Sequence, residues 1–222
     1  MQEEFCNLIK DWSPEPQHQR VMDWARRNHI PVLTTNFDDV LARAGGCEFQ
    51  RFRNAGFTDY YPWECYYSPI PLTDPRTGFG IWHINGMAKY HRSVRLGLSH
   101  YMGSVMRARE WLHRSGNRLL GGDQHDSWPG RHTWMQVAFS KPLLVAGVGI
   151  EENETFLRWL LLERAAYFKK FPERRQKAWY VYKPDPENRM EAGKIYFLRA
   201  VGFECIAVSS FDALYGEEAW AG

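Results

Sequence analysis

The stretch Ile30-Pro31-Val32-Leu33-Thr34-Thr35-Asn36-Phe37-Asp38-Asp39 passes from a short apolar run into a polar turn. The apolar, β-branched run 30–35 predicts a buried strand that ends at Asn36. Residues 38–44 predict a short helix that Gly45-Gly46 terminates, and its acidic first turn suits the positive end of the helix dipole. The stretch therefore predicts a strand, a polar turn and a helix, which is the building unit of α/β proteins.

The same pattern returns along the chain. Helical patterns at 21–25, 99–111, 154–167 and 190–200 are interleaved with strand-like runs at 79–84, 143–146, 178–182 and 203–208. This alternation predicts an α/β fold with a Rossmann-like parallel sheet, right-handed crossovers and helices on both faces. We expect a single domain over residues 1–222, with a loop-rich insert or small subdomain at about 48–80, where Tyr, Pro, Phe and Arg are frequent.

Composition excludes several broad classes. With 44% hydrophobic and 24% charged residues, the 222-residue chain is not disordered as a whole. A net charge of +2 gives no general attraction to nucleic acid or to a membrane, and no apolar run is long enough to span a bilayer. Aromatic residues at 15% predict large hydrophobic contacts and some exposed aromatic surface. Four dispersed cysteines and no signal peptide predict reduced thiols in a cytoplasmic protein.

Three polar or glycine-rich segments follow predicted strands. They are residues 34–38, residues 83–86 and the Gly147-Val148-Gly149 turn. Because ligands bind at the carboxyl ends of strands in open α/β sheets, we expect the three segments to meet at one edge. Asn36 can bind a ribose or an amide through hydrogen bonds, and His83 is the natural general base near neutral pH.

Each of these residues also has a purely structural interpretation. Asn36 ends a strand, Asp38 caps the following helix, and a lone His83 is more often part of a core than catalytic. Gly147-x-Gly149 allows close approach of the backbone to a phosphate or ribose. It is not a complete dinucleotide fingerprint, since Glu152 occupies the place of the third glycine.

Four motifs together resemble the SIR2-like family, the bacterial relatives of the sirtuins, many of which are NAD-consuming domains of anti-phage defence systems. The resemblance covers about residues 32–211, and the family's usual second histidine is replaced by Asn85. The family's opening strand and Gly-Ala-Gly phosphate loop have no counterpart before Thr34. The motifs are Thr34-Thr35-Asn36-Phe37-Asp38-Asp39, Trp82-His83-Ile84-Asn85-Gly86, Leu96-Gly97-Leu98-Ser99-His100-Tyr101 and Val145-Ala146-Gly147-Val148-Gly149.

The resemblance implies NAD as substrate and cleavage of its nicotinamide–ribose bond. Asn36 would contact the nicotinamide-side ribose, His83 would act as base from a displaced position, and Asp38 would support the site. The family's sirtuin branch usually carries a four-cysteine zinc site, whose absence here favours NAD hydrolysis over deacylation of a protein. The residues expected to border the dinucleotide are Thr34, Thr35, Phe37, Gly86, Gly147, Val148 and Gly149.

Other functions stay open at this point. The missing glycine loop and Asn85 favour, as the alternative, a non-catalytic module that binds a nucleotide or a protein; a third possibility is an oligomeric effector that a partner activates. No spacing matches a known zinc or iron site, so no metal is expected. The arginines that flank aromatic residues, such as Arg51 and Arg76, indicate a solvated rim or a protein interface more than a nucleic-acid surface. The histidines and aspartates considered for a metal are His91, His100, His113, His125, His132, Asp123 and Asp126.

Overall fold

The computed structural model describes residues 1–52, 61–122, 125–152 and 154–221, and at residues 98–101 it describes the backbone alone. The chain divides into two compact units, the first over Met1–Val137 and the second over Ala138–Ala221. Within the described ranges the strands form a four-stranded sheet (sheet A) and a three-stranded sheet (sheet B). A mixed α/β architecture is therefore established, and the single Rossmann-like sheet stays a prediction.

The elements follow the predicted alternation. The helices are α1 Gln2–Ile9, α2 Pro16–Arg27, α3 Val40–Ala44, α4 Leu98–Arg109, α5 Trp134–Ser140, α6 Thr155–Lys170, α7 Glu191–Ala200 and α8 Asp212–Tyr215. The strands are β1 Val32–Thr34, β2 Glu48–Arg51, β3 Cys65–Ser68, β4 Ile81–His83, β5 Leu143–Ala146, β6 Ala178–Tyr182 and β7 Glu204–Ala207. Short 3₁₀ turns lie at Ala88–Ser93, Leu119–Gly121, Pro172–Arg174 and Glu218–Trp220, and a π-helical turn extends α4 over Glu110–Arg114. None of the helices in the described part of the chain is both long and apolar enough to cross a bilayer.

Sheet A has the strand order β1-β4-β3-β2. Strands β1 and β4 run parallel, whereas β3 is antiparallel to both β4 and β2. Sheet A thus differs from the predicted parallel sheet, because the segment expected to be a loop-rich insert supplies the hairpin partners β2 and β3. The aromatic residues of that segment suit strands as well as loops.

Helix α2 packs against the β1–β4 pair. Its residues Met22 and Ala25 are buried in one cluster with Phe79 and Ile81. The helix begins after Glu15, whose side chain accepts from the backbone while the His18 ring accepts the Glu15 N–H, a reciprocal cap. The packing of α2 positions the preceding turn, residues 10–15, beside sheet A.

The aromatic residues of the first unit lie mainly in its core. The Trp82 ring is stacked against Tyr66 at 4.7 Å and against Phe52 at 5.7 Å between centroids. Trp63 and Trp134 form a second stacked pair at 5.8 Å. Offset stacking of large rings adds to the burial of apolar area, so these contacts stabilise the unit. The expected exposed aromatic surface includes Trp12, which is 56% exposed.

Sheet B is parallel throughout, in the order β5-β6-β7. Ala178 and Tyr180 of β6 are buried against Leu161 of α6 and against Ile195 and Leu198 of α7. Because side chains alternate across a strand, Trp179 lies on the opposite face of the sheet. The parallel register agrees with the strand–helix alternation predicted for this half of the chain.

Arg164 of α6 is 3% exposed in the second unit. Its guanidinium donates to the carbonyl oxygens of Ala138 at 2.8 Å, Lys141 at 3.2 Å and Gln176 at 3.4 Å. Burial lowers the pKa of Arg164 to about 10. One planar fork therefore joins α6 to the chain segments that precede β5 and β6.

We expect Arg164→Lys to lower the free energy of unfolding by about 1–3 kcal/mol, because a single ammonium nitrogen cannot occupy the separate positions of Nε and Nη2 from which the guanidinium reaches these carbonyl groups. The matched control is Arg175→Lys, at an exposed position, with an expected change below about 0.5 kcal/mol. Urea denaturation of both variants measures the difference. Equal stability of the two variants would contradict the role given to Arg164.

Candidate functional site

The parallel pairing of β1 with β4 brings two of the predicted segments together. Thr34, the last residue of β1, lies opposite His83, the last residue of β4, and the Ile84 N–H donates to the Thr34 carbonyl at 3.0 Å. Since parallel strands end at the same edge of a sheet, the turn 35–38 lies beside the turn 84–86. This is the arrangement expected from the sequence for these two segments.

A hydrogen bond joins the two turns through His83. Its Nδ1 lies 2.8 Å from the Asn36 carbonyl oxygen, and since a carbonyl only accepts, Nδ1 carries the proton. The ring is 2% exposed, and Nε2 has no hydrogen-bond partner among the described residues. Burial lowers the pKa of His83 below its ordinary value of 6.5, against smaller opposing effects of the Asn36 bond and of Asp38. The imidazole is therefore neutral at pH 7.

Asn36 and Asp38 line a cleft of about 440 Å³ at the end of β1. The Asn36 side chain is exposed there. Asp38 is buried, and its Oδ1 accepts from the Val40 N–H at 2.9 Å; this bond steadies the turn before α3, although the N-cap residue of α3 is Asp39 and not Asp38. The residues that line the cleft are Trp12, Ser13, Glu15, His18, Asn36, Asp38 and Val40. His83 is not one of them, so the predicted base does not share this cleft with Asn36.

The remaining predicted residues of the first unit shape the turns. The Thr35 carbonyl accepts from Asn85 Nδ2 at 3.4 Å. The Phe37 ring meets the Phe5 ring edge to face at 5.5 Å, and the Phe37 carbonyl accepts from the Ala88 N–H at 2.7 Å. Asn85 thus binds backbone in the structure, in the place where the resembled family has a histidine. These contacts give the two turns a fixed backbone.

Gly86 is required by the backbone at the end of the second turn. Its φ is +100°, and a Cβ placed there would lie 2.1 Å from the Ser93 carbonyl oxygen. A side chain is therefore excluded both by conformation and by space. This is a structural reason for the glycine, whatever ligand it borders.

Four residues of the cleft were not identified as candidates in the sequence. Trp12, Ser13, Glu15 and His18 belong to the turn between α1 and α2 and to the start of α2. The available signal was Trp12 next to the Ser13-Pro14 turn, but the sequence does not show that this turn lies next to β1. The Arg43 guanidinium holds the turn by donating to the Trp12 carbonyl and to Asp39.

The Gly147-Val148-Gly149 turn belongs to the second unit and follows β5. Gly147 has φ +69°, and a Cβ at that position would meet the Tyr215 hydroxyl at 2.2 Å. The Val148 carbonyl accepts from the Tyr180 hydroxyl at 3.1 Å. These contacts order the turn at the carboxyl end of sheet B. Its convergence with the turns of the first unit stays a prediction.

Several of the residues considered for a metal have other partners. Asp126 pairs with Arg76 at 2.8 Å, and His125 Nδ1 lies 3.3 Å from Asp126. Arg131 Nε donates to His132 Nε2 at 3.0 Å. The described residues contain no group of three or more His, Cys, Asp or Glu side chains placed to hold a metal ion. Asp123 and the side chains of Ser99, His100 and Tyr101 lie outside the described part of the chain.

Comparison with known proteins returns no match. No family model matches the chain, and neither a curated protein nor a solved structure is significantly similar to it. Conclusions about function therefore rest on the residues and their geometry.

The free energy of unfolding should decrease as the pH falls, and part of this decrease should depend on His83. The imidazole titrates near pH 6.5 when unfolded and at a lower pH when folded, so the unfolded state takes up the proton first as the pH falls. We expect the free energy of unfolding to drop more between about pH 7.5 and about pH 5.5 in the wild type than in His83→Gln, which cannot titrate. His91→Gln serves as the control and should keep the wild-type drop. A drop of equal size in His83→Gln would contradict the buried neutral ring.

Gly86→Ala and Gly103→Ala should change stability in opposite directions. The first forces a side chain into the Ser93 backbone at positive φ and should cost at least about 2 kcal/mol. The second adds a methyl group in open space on helix α4 and should stabilise by up to about 1 kcal/mol. Thermal unfolding of both variants measures the changes, and a neutral Gly86→Ala would refute the tight turn.

Proposed function

We propose that this chain is a SIR2-like domain that binds NAD⁺ and hydrolyses its nicotinamide–ribose bond. The observation that carries the proposal is the cleft at the end of β1, where Asn36 and Asp38 stand beside the His83 turn of β4. This is the strand edge at which α/β proteins bind their ligands. NAD as the substrate and a role in anti-phage defence are drawn from the resemblance of the four motifs, and a place in the cytoplasm from the dispersed cysteines.

The side chains of the cleft suit the sugar that would react. Cleavage of the N-glycosidic bond develops positive charge at the anomeric carbon, so the site must orient the sugar and supply electron-rich oxygen atoms. The exposed Asn36 carboxamide can hold a ribose hydroxyl or the attacking water. The Asp38 carboxylate, fixed by the Val40 N–H, can stabilise the positive charge.

His83 acts in this proposal as a positioning residue. Its protonated Nδ1 is committed to the Asn36 carbonyl and its Nε2 is enclosed, so the ring holds the Asn36 backbone and leaves proton transfer to water. The general-base role inferred from the sequence needs an imidazole that reaches the substrate. The observed burial therefore favours positioning over base catalysis.

The phosphates of NAD would bind away from this cleft. The lining residues include the carboxylates of Glu15 and Asp38 and no Lys or Arg within the described chain. Acidic groups repel a pyrophosphate, whereas they suit the sugar and the positively charged nicotinamide ring.

One observation favours a second candidate, a non-catalytic module that binds a nucleotide or a protein partner. Both polar side chains at the end of β4 form hydrogen bonds with backbone carbonyl groups, His83 with that of Asn36 and Asn85 with that of Thr35. A domain without an exposed base can still bind a ligand through Asn36 and Asp38. Deacylation of a protein has no comparable support.

The two candidates differ in nicotinamide release from NAD⁺ by the full chain. For the hydrolase we expect release by the wild type and a loss of at least about 100-fold in Asn36→Ala, because the carboxamide orients the reacting sugar. Asn7→Ala, at an exposed position on α1, is the matched control and should keep full activity. Chromatographic detection of nicotinamide measures the rates, and equal rates in wild type and Asn36→Ala would contradict the mechanism.

His83→Gln adds a test of the positioning role in the same assay. Its rate should fall while the shape of the pH–rate profile stays that of the wild type, since no proton is transferred by the ring. If the pH–rate profile of His83→Gln lacked one limb of the wild-type profile, His83 would be the general base and the positioning role would be wrong. NAD⁺ binding by calorimetry without any turnover would instead establish the non-catalytic module.

A further inference from the structure

A basic segment stands out in the second unit. Residues 169–177, Lys-Lys-Phe-Pro-Glu-Arg-Arg-Gln-Lys, carry five basic residues against one acidic residue, in a chain whose total net charge is only +2. The segment runs from the end of α6 through the 3₁₀ turn Pro172–Arg174 to the start of β6. Lys169, Arg175 and Lys177 are exposed. The local charge is therefore concentrated on one edge of sheet B.

The segment borders a groove of about 370 Å³ that the proposed NAD site does not use. The lining residues are Arg175, Gln176, Lys177, Ala178, Trp179, Gly202 and Glu204. They lie at the amino ends of β6 and β7, whereas the Gly147-Val148-Gly149 turn follows the carboxyl end of β5. Because sheet B is parallel, the groove and that turn lie at opposite edges of the sheet.

Trp179 gives the groove a fixed aromatic wall. It lies on the face of sheet B opposite the Tyr180 core, and it is only partly buried. The indole Nε1–H donates to Glu204 Oε2 at 3.1 Å, across the register pair Trp179–Glu204. The hydrogen bond occupies the edge of the ring, so a ligand can meet its face.

Arg175 and Lys177 supply positive charge beside this ring. Neither side chain has a hydrogen-bond or ion-pair partner among the described residues. Glu204, the one carboxylate of the groove, is engaged by the indole. The groove thus presents one aromatic face and two available cations.

We propose that this groove binds a nucleoside phosphate, with the base against Trp179 and the phosphate on Arg175 and Lys177. Stacking on an aromatic ring together with phosphate contacts to Lys and Arg is the combination by which proteins hold unpaired nucleotides. An acidic peptide would use the cations but not the ring. A free nucleotide and a single strand of nucleic acid share this chemistry, and the experiment below separates them.

The test measures binding of the full chain to a fluorescein-labelled 12-nucleotide single strand by anisotropy, with adenosine monophosphate as competitor. Arg175→Gln with Lys177→Gln should weaken binding at least about 10-fold at low salt and flatten the slope of log affinity against log salt by about 1.4, for two lost phosphate contacts. Trp179→Ala should weaken binding about 10-fold, and Trp179→Phe should retain most of it. Glu204→Gln keeps an acceptor for the indole, removes a negative charge and should tighten binding a few-fold.

The matched control is Lys183→Gln with Arg189→Gln, which removes the same charge from exposed positions beyond the carboxyl end of β6. It should bind like the wild type. Competition by the monophosphate identifies a free nucleotide as the ligand, and binding of the strand alone identifies a nucleic acid; either result upholds the groove. The proposal would be overturned if the control and the groove variant lost the same amount of binding affinity. It would also be overturned if polyglutamate bound as tightly as the strand and Trp179→Ala left that binding unchanged. Because this site does not involve Asn36, its result is independent of the NAD⁺ assay.

Discussion

The hydrogen bond from His83 Nδ1 to the Asn36 carbonyl is the contact on which the proposed site depends. It is made inside the protein, where an unsatisfied carbonyl or imidazole N–H is costly, so it fixes both the tautomer of the ring and the path of the 35–38 turn. The parallel pairing of β1 with β4 makes it possible by setting Thr34 opposite His83. Asn36 then faces the cleft while its own backbone stays anchored.

This arrangement separates positioning from chemistry. The ring that the sequence nominates as a base is buried, neutral and committed to backbone, whereas the groups that face the cleft are an amide and a carboxylate. Hydrolysis of a glycosidic bond through a cationic transition state needs oriented oxygen atoms more than a strong base. A site built from Asn36 and Asp38 supplies oxygen atoms of this kind, and it can also bind a ligand without turnover.

Much of the fold could be predicted from local pattern. The runs that became β1, β5 and β6 are apolar and β-branched, and the helical spacing in α6 and α7 is clear. The partners of β2 and β3 could not be predicted, because a segment rich in Tyr, Phe and Pro is compatible with both loops and hairpin strands, and antiparallel pairing depends on distant residues. Alternation likewise predicts parallel strands without saying whether they join one sheet or two.

The part of the site that could be predicted from the sequence is the part formed by residues that follow a strand. Asn36 and Asp38 lie in the turn that follows β1, so their place near the carboxyl end of that strand could be predicted from the sequence. Trp12 and Glu15 reach the same cleft through the packing of α2 on sheet A, a long-range contact that no local pattern encodes. The burial of His83 depends on rings such as Tyr67, 5.7 Å away, and on the depth of β4, so the accessibility of a histidine could not be derived from its neighbours in sequence.

The most direct test of the central claim is the tautomer and titration of His83, read from long-range ¹H–¹⁵N correlations in the labelled protein. We expect a neutral ring protonated at Nδ1 that does not titrate near pH 6.5. A ring protonated at Nε2, or one that titrates with the ordinary pKa of an exposed imidazole, would contradict it.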